Sequence, residues 1–305
     1  EFVFDWAWAD AYQRYGMRYY PKLVSAIPFT PATGARMLLH PTTDPVSGRA
    51  ALAAEAVRLA ASLGVSSYHC LFHPADELVA YEAQSMTRRL GCQYHWHNIG
   101  YVNFDDFLTA LSSKKRKNIR RERRLVAESG LTLEVLTGSD MDEARWAVTH
   151  RFYESTFDRR GGFATLTRSF FQEIGATMGD QLVLCLAYDG PREVAGAICL
   201  RSNTTLYGRH WGCEKDYDSL HFEACYYQGI EYCIKNGLQR FEPGAQGEHK
   251  VHRGFLPTLT YSSHWIENEG MRRAIDDFLE REGPAVQDYA ARLMAHSPYR
   301  APSPV

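Results

Sequence analysis

The sequence predicts an α/β fold (α+β), with mixed, mostly antiparallel sheets flanked by helices. Strand-like and helix-like segments alternate between residues 49 and 97, which is typical of such folds. Three apolar runs between residues 181 and 212 are joined by short turns, which predicts an antiparallel meander. The 305 residues are 45% hydrophobic and 23% charged, so the chain can bury a core and is long enough for roughly two domains.

The first half is assigned from alternation, apolar spacing and glycine stops. Residues 2–9 alternate between apolar and polar, which predicts a strand. Gly64 and Gly91 follow periodic segments and are predicted to end helices. In chain order we predict a strand at 2–9, a helix at 10–22, extended chain at 24–33, a strand at 36–40, a helix at 49–63, a strand at 67–72, a helix at 75–90 and a strand at 92–97.

The second half follows the same rules. Asn236 and Gly237 are predicted to close the helix after the meander. We predict a helix at 114–124, a strand at 131–136, helices at 140–155 and 168–178, strands at 181–188, 193–201 and 204–212, a helix at 221–235, strands at 240–242 and 261–267, and a helical region at 270–296. Gly283 and Pro284 are a point at which the last helix could break.

Composition limits the cellular setting. No apolar run reaches the length of a membrane span, and the opening residues EFVFDWAWAD lack the features of a signal peptide. The seven cysteines are scattered, without a CxxC pair, as free thiols in a reducing compartment would be. We therefore expect a cytoplasmic protein. The chain starts at Glu1 without Met, inside a predicted strand, so we expect further residues upstream.

Positive charge is concentrated in residues 114–124, KKRKNIRRERR. Eight basic residues and one Glu give this segment +7, which leaves −9 for the rest of a chain of net charge −2. We predict a helix with a basic outer face, packed through Ile119 and Val126. Three interpretations stay open: a solvated face neutralised by carboxylates, a site for a phosphate-bearing ligand, or RNA binding. The candidate anion-binding residues are Lys114, Lys115, Arg116, Lys117 and Arg120. Aromatic residues are absent from the segment, which disfavours base stacking.

The turn after residue 241, EPGAQGEHKVHRGF, is the strongest candidate site. Glu242 could serve as a base or bind an ammonium group, or it could form an ion pair with Arg240 or Arg253. His249 could transfer a proton, or be structural. The predicted substrate-binding residues of the turn are Lys250, Arg253 and Gln246.

The preceding strand carries four further candidates. Tyr207 and His210 are candidate catalytic residues, and Arg209 and Trp211 candidate substrate-binding residues. Strand alternation predicts that Tyr207 and Arg209 share one face and that His210 takes the other.

Other chemistries are disfavoured. His95 with His97, and His249 with His252, lack partners at diagnostic metal spacing, so no metal site is expected. The chain also has no GxSxG, P-loop or dinucleotide fingerprint, which argues against hydrolases, kinases and dehydrogenases.

The segments SSKKRKNIRRERR and GLQRFEPGAQGEHKVHRGFLPTLTYSSHW resemble the Fem-like peptidoglycan-biosynthesis family of the GNAT superfamily of N-acyltransferases. The resemblance is strong from about residue 111 to 266 and looser toward FVFDWAWADAY. It implies tandem GNAT-like domains, here residues 1–112, truncated at the N-terminus, and 113–305. A faint echo between the aromatic segments after Trp8 and after Trp211 agrees with two related halves.

The resemblance also implies a function. It implies transfer of an acyl or aminoacyl group to an amine, with acyl-CoA or aminoacyl-tRNA as co-substrate and no tightly bound cofactor. The acceptor would be a small molecule or a cell-wall precursor, and Lys250 matches a lysine of such relatives. Residues 212–221, GCEKDYDSLH, lack the glycine-rich pyrophosphate loop of GNAT enzymes, so the donor stays open. The alternative is a noncatalytic protein on this scaffold that binds RNA or an anionic ligand through residues 114–124.

Overall fold

The structure, a computed structural model, describes residues 3–158 and 161–300. The helices are α1 (Trp6–Arg14), α2 (Pro45–Ser62), α3 (Leu78–Glu82), α4 (Phe104–Ala110), α5 (Ser113–Glu128), α6 (Glu143–Asp158), α7 (Arg168–Met178), α8 (Leu220–Phe222), α9 (Gln228–Lys235) and α10 (Glu269–Ala295). The strands are β1 (Leu23–Ser25), β2 (Ser67–His73), β3 (Thr87–His97), β4 (Leu131–Thr137), β5 (Leu182–Asp189), β6 (Arg192–Arg201), β7 (Thr205–Cys213), β8 (Arg240–Glu242) and β9 (Leu256–Ile266). A π-helical turn, Glu223–Tyr227, joins α8 to α9.

Two compact units account for these elements. Unit 1 comprises Glu1–Gln93 and Pro257–Ala295, and unit 2 comprises Tyr94–Leu256 with the segment from His296 onward. These bounds differ from the predicted division at residue 112, because residues 257–295 belong to the first unit and residues 94–112 to the second. The tandem GNAT-like division therefore remains a prediction.

In unit 1, β1 pairs in parallel with β2, and β2 pairs antiparallel with β9. The strand predicted at residues 2–9 is wrong over the described residues 3–9, because residues 3–5 form no strand and α1 begins at Trp6. Residue 2 lies outside the described residues. Trp8 and Tyr12, four residues apart, lie on one helical face and pack with Met271 and Ile275 of α10. The packing of these two aromatic residues on α10 thus prevails over the period-two pattern.

Four further sequence assignments in this unit need correction. The helix predicted at 75–90 ends at Glu82, and β3 begins at Thr87. Gly91 lies inside β3, where a Cβ atom would approach the Thr260 hydroxyl to 2.7 Å, so this glycine permits close approach rather than ending a helix. Residues 36–40 form no strand. Helix α10 runs without interruption through Pro284.

In unit 2 the strands follow the order β3-β8-β7-β6-β5-β4. Only β7 and β8 pair in parallel, and the other neighbours are antiparallel. Leu184 and Ile198 pack under α6 and α7 with Trp146, Tyr153 and Phe171. Val126 of α5 packs on the opposite face. The mixed, mostly antiparallel sheet flanked by helices confirms the predicted fold class.

Among the described helices, none combines the length and apolarity that crossing a bilayer requires.

Candidate functional site

The candidate site lies in unit 2, where β8 ends. Strands β7 and β8 pair over three residues only, and the last pair is Tyr207 with Glu242. The chain then passes through Gly244 and Gly247 into a 3₁₀ helix, Glu248–Arg253. Gly247 has φ of 108°, and a Cβ atom there would lie 2.5 Å from the His249 ring. Glycine is required at this position both for its backbone conformation and for space.

Lys250 is a buried cation in this turn, with 3% of its surface exposed. Its Nζ donates a hydrogen bond to the Gly244 carbonyl at 2.8 Å and lies 6.0 Å from the centre of the Tyr226 ring. Burial lowers the pKa of Lys250 to about 8. The ammonium group is therefore fixed in position and still charged at neutral pH.

Glu242 is also buried, 4% exposed. Its Oε1 lies 3.0 Å from Arg240 Nε, and its Oε2 lies 4.0 Å from His95 Nε2. Burial, together with Arg240, His97 and Lys250, lowers the pKa of His95 to about 3. The ion pair of Glu242 with Arg240, one of the two sequence-based interpretations, is present, and a neutral imidazole stands beside the carboxylate.

The register of β7 corrects the predicted faces of its side chains. Tyr207 pairs with Leu200 on β6, and His210 pairs with Ile198. Arg209 lies where the register between the two strands shifts by one residue. Residues opposite one another share a face of a sheet, so Tyr207 and His210 lie on the same face rather than on opposite ones. A bulge at Arg209 breaks the alternation, which cannot be seen in the sequence.

This face is the one covered by α6. The His210 ring lies 4.7 Å from the Tyr153 ring, and burial followed by Arg209 lowers the pKa of His210 to about 3. Glu242 shares the face through its pairing with Tyr207. Trp211 lies on the other face, where its ring contacts His221 at 5.4 Å.

His249 and Arg253 belong to a network that ties the turn to α5. His249 Nε2 lies 2.9 Å from the Tyr226 hydroxyl, and partial burial, then Arg253, lowers the pKa of His249. Arg253 binds both carboxylate oxygens of Glu122, at 2.7 and 3.2 Å, and donates to the His249 carbonyl at 2.9 Å. Gln246 is exposed.

Sequence reasoning missed Glu122 and its partner Tyr227. The Tyr227 hydroxyl donates to Glu122 and accepts from Arg253 Nε at 3.1 Å. The available signal was that Glu122 is the single acid in residues 114–124. A single carboxylate within such a basic segment is expected to have a buried cationic partner.

Helix α5 confirms the predicted basic helix. Ile119 and Val126 are buried, and carboxylates neutralise part of the charge, since Arg123 binds Glu223 at 2.9 Å and Glu231 at 3.0 Å. In the first turn, Lys115 Nζ lies 2.8 Å from His252 Nδ1, so this end of α5 adjoins the Lys250 turn. Within residues 3–158 and 161–300, no ion pair is formed by Lys114, Arg116, Lys117 or Arg121.

A groove of about 500 Å³ lies elsewhere in unit 2, along the first turns of α6 and the end of α7. Its walls include Met141, Trp146 and Gln172. None of the predicted site residues lines it. Among the described residues, no three His, Cys, Asp or Glu side chains are grouped as a metal site would require.

Solved structures share this α/β fold. FemX matches with a TM-score of 0.54 and 13% identity over 82% of this chain and 85% of its own. L-PGS from Bacillus licheniformis gives 0.53 and 11%, covering 74% and 76%. The C-terminal DUF2156 domain of an Agrobacterium fabrum protein named as a lysylphosphatidylglycerol synthetase gives 0.55 and 11%, covering 76% and 77%. This chain therefore has the class of fold that FemX and L-PGS share.

The chain belongs to the FemAB-like family, described as peptidoglycan biosynthesis/recognition, whose family model matches residues 1–301. No curated protein matches the chain by sequence.

Proposed function

We propose that this chain transfers an acyl or aminoacyl group to an amine, such as one on a cell-wall precursor or an amino-acid metabolite. Membership of the FemAB-like family and the fold shared with FemX support a transferase of this class. The observation that carries the proposal is the buried Lys250 ammonium, held by the Gly244 carbonyl where β8 ends. A fixed cation at that place suits a reaction in which negative charge develops on the donor.

Acyl transfer to an amine has two requirements. The amine must lose a proton, and the oxyanion of the tetrahedral intermediate must be stabilised. Lys250 uses one N–H on Gly244, so two further N–H groups are available to an oxyanion or a leaving group. Because the ammonium group is shielded from water, its interaction with a developing charge is stronger than in solution.

Glu242 is the proposed partner for the acceptor. Its carboxylate can hold an ammonium group and accept its proton, with Tyr207 on the same face as a hydrogen-bonding neighbour. His249, on the exposed side of the turn, is the second proposed proton acceptor. We propose that His210 packs against α6 rather than acting as a catalytic base, because an imidazole with a pKa of about 3 is a weak base at neutral pH.

The first turn of α5 is the proposed phosphate site. Lys115 lies beside His252, and Lys114 and Arg116 stand at a helix N-terminus, where the backbone also favours an anion. The departure from the GNAT pyrophosphate loop favours aminoacyl-tRNA over acyl-CoA as the donor. Arg253 acts by holding the turn, and Trp211 and Arg209 by shaping the sheet beside it.

The test is transfer to a panel of amines from aminoacyl-tRNA and from acetyl-CoA. Lys250→Met should lower the rate about 10²- to 10³-fold, as loss of an oxyanion donor does, without a change in the thermal melt large enough to account for it. Lys235→Met, at an exposed lysine of α9, should leave the rate unchanged. Equal rates for both variants, or no transfer from either donor, would remove the proposal.

A pH profile supplies a second readout. The wild-type rate should fall above about pH 8, because Lys250 loses its proton there. Lys250→Arg, which keeps its charge at that pH, should shift the alkaline limb upward even if its rate is lower. An unshifted limb would assign the titration to another group.

A further inference from the structure

An exposed aliphatic turn projects from unit 2 between β3 and α4. Ile99 is 77% exposed and Val102 82% exposed. Large aliphatic side chains at that exposure, three residues apart in one turn, leave apolar surface in contact with water. The turn is distinct from the Lys250 region described above.

The turn is rigidly built. The Asn98 side chain accepts hydrogen bonds from the backbone N–H of Gly100 at 3.1 Å and of Tyr101 at 3.0 Å. The Tyr101 ring packs 5.5 Å from Phe107, and the Val102 N–H donates to Asp106 at 3.1 Å. The two aliphatic side chains are therefore held outward by specific contacts on both sides of the turn.

Exposed cations adjoin this turn. Arg120 of α5 forms an ion pair with Asp105 of α4 at 3.1 Å, with both side chains exposed, so the outer face of α5 lies beside the start of α4. Lys117, Arg121 and Arg124 are exposed on that same face, opposite the buried Ile119 and Val126. Helical spacing places these cations within one arc of about 100°.

We infer that this surface docks on an anionic lipid bilayer. The docking surface consists of Ile99, Val102, Lys117, Arg120, Arg121 and Arg124. The aliphatic side chains would enter the headgroup and acyl boundary while the cations contact lipid phosphates, the combination that peripheral membrane binding requires. The charge of the surface and the apolar pair are both needed, because neither two aliphatic residues nor a few cations alone bind a bilayer strongly.

A bilayer fits these features better than RNA does. Phosphodiester backbones would match the cations equally well, but Ile99 and Val102 gain nothing from them, and residues 114–124 offer no aromatic side chain for base stacking. The inference does not depend on the proposed transferase activity. It uses the outer face of α5, whereas the proposed phosphate site uses its first turn.

The experiment is vesicle co-sedimentation with the full chain, comparing pure phosphatidylcholine with phosphatidylcholine containing about one-third phosphatidylglycerol. We expect binding to the anionic vesicles only, weakened by raising the salt concentration. Ile99→Ser with Val102→Ser should reduce the affinity at least about tenfold. Lys117→Gln, Arg121→Gln and Arg124→Gln together should reduce it about 100-fold, at about fivefold per cation.

Matched controls change the same residue types elsewhere. Val46→Ser with Val79→Ser alters two exposed aliphatic residues of unit 1, and Arg273→Gln with Arg281→Gln and Arg292→Gln alters three exposed arginines of α10. Both should leave binding within about twofold, and the thermal melts of all variants should match the wild type.

Three results would overturn the inference. One is absence of binding to the anionic vesicles, or binding that Ile99→Ser with Val102→Ser does not weaken. Another is a gel shift of transfer RNA that is abolished by the triple change of Lys117, Arg121 and Arg124 to Gln, together with binding to anionic vesicles that is no stronger than binding to pure phosphatidylcholine. The third is self-association in gel filtration that the aliphatic double variant abolishes, with no vesicle binding.

Discussion

At the scale of single residues, the most consequential contact of the candidate site is the pair of Glu122 and Arg253. Both side chains are nearly buried, 13% and 10% exposed, and the guanidinium group also lies 3.4 Å from the centre of the Phe222 ring. Arg253 donates to the His249 carbonyl, next to Lys250 in the chain. The pair therefore links the basic helix to the position of the proposed oxyanion donor.

We predict strong energetic coupling within this pair. Glu122→Gln or Arg253→Gln alone should lower the free energy of unfolding by about 3 kcal/mol, since each leaves a buried charge unpaired. The double variant should lose clearly less than the sum, with a coupling energy above about 1 kcal/mol in a double-mutant cycle measured by denaturant unfolding.

The control is the exposed pair of Arg120 and Asp105, 58% and 79% exposed. Arg120→Gln with Asp105→Asn should show coupling of at most about 0.5 kcal/mol, because water screens such pairs. Coupling of equal size in the two cycles would mean that burial of Glu122 does not matter to the network.

At the scale of elements, the contact of β7 with α6 fixes the layer spacing on one side of the unit 2 sheet. A Cβ atom on Gly212 would lie 1.9 Å from the Phe152 carbonyl oxygen. The Thr156 hydroxyl donates to the neighbouring Trp211 carbonyl, so helix and strand backbones meet directly here. Glycine makes this approach possible.

We predict that Gly212→Ala lowers the free energy of unfolding by about 3 kcal/mol, because backbone atoms must move to admit the methyl group. Gly283→Ala, inside α10 where the nearest atom to a Cβ lies at 4.0 Å, should instead raise it by up to about 1 kcal/mol through helix propensity. Chemical denaturation of the two variants checks both signs. A neutral Gly212→Ala would show that α6 shifts at little cost.

Elements also show where sequence patterns suffice. The meander β5–β6–β7 is predicted to within one residue of its observed bounds, since its apolar spacing is regular and turns flank its strands. The start of α5 is predicted equally well, but the helix continues to Glu128, four residues beyond the predicted end. Residues 6–9 are not predicted correctly, because the aromatic residues up to Tyr12 fit a strand pattern at short range and only the packing of Trp8 and Tyr12 on Met271 selects a helix that begins at Trp6. Local periodicity is ambiguous in short aromatic segments.

At the scale of the whole molecule, both units bury neutral imidazoles. In unit 1, His69 and His264 pack at 4.5 Å between ring centres. Burial lowers the pKa values of both imidazoles well below the ordinary value. The second cause is the charge of Lys22 for His69, and the neighbouring His69 for His264. In unit 2, burial lowers the pKa of His95 and of His210 to about 3.

We predict acid sensitivity of the folded state. Below about pH 6.5 the unfolded chain takes up protons at these histidines while the folded chain does not, so the free energy of unfolding falls as the pH falls. The slope should be about 1.4 kcal/mol per pH unit for each buried imidazole. Denaturant unfolding at a series of pH values from 7 to 4 measures it.

His210→Gln should reduce that slope by about 1.4 kcal/mol per pH unit, the contribution of one buried imidazole. An unchanged slope in His210→Gln would mean that the imidazole is already protonated in the folded state.

The sequence by itself determined the fold class, the basic helix and the glycine-rich turn that carries Lys250, because each depends on local periodicity, charge or backbone freedom. The tertiary structure alone decided which side chains meet. The bulge at Arg209 places Tyr207 and His210 on one face, and Glu122 reaches Arg253 across 131 residues of chain. Register and long-range packing arise from the free energy of the whole fold, so no local pattern specifies them.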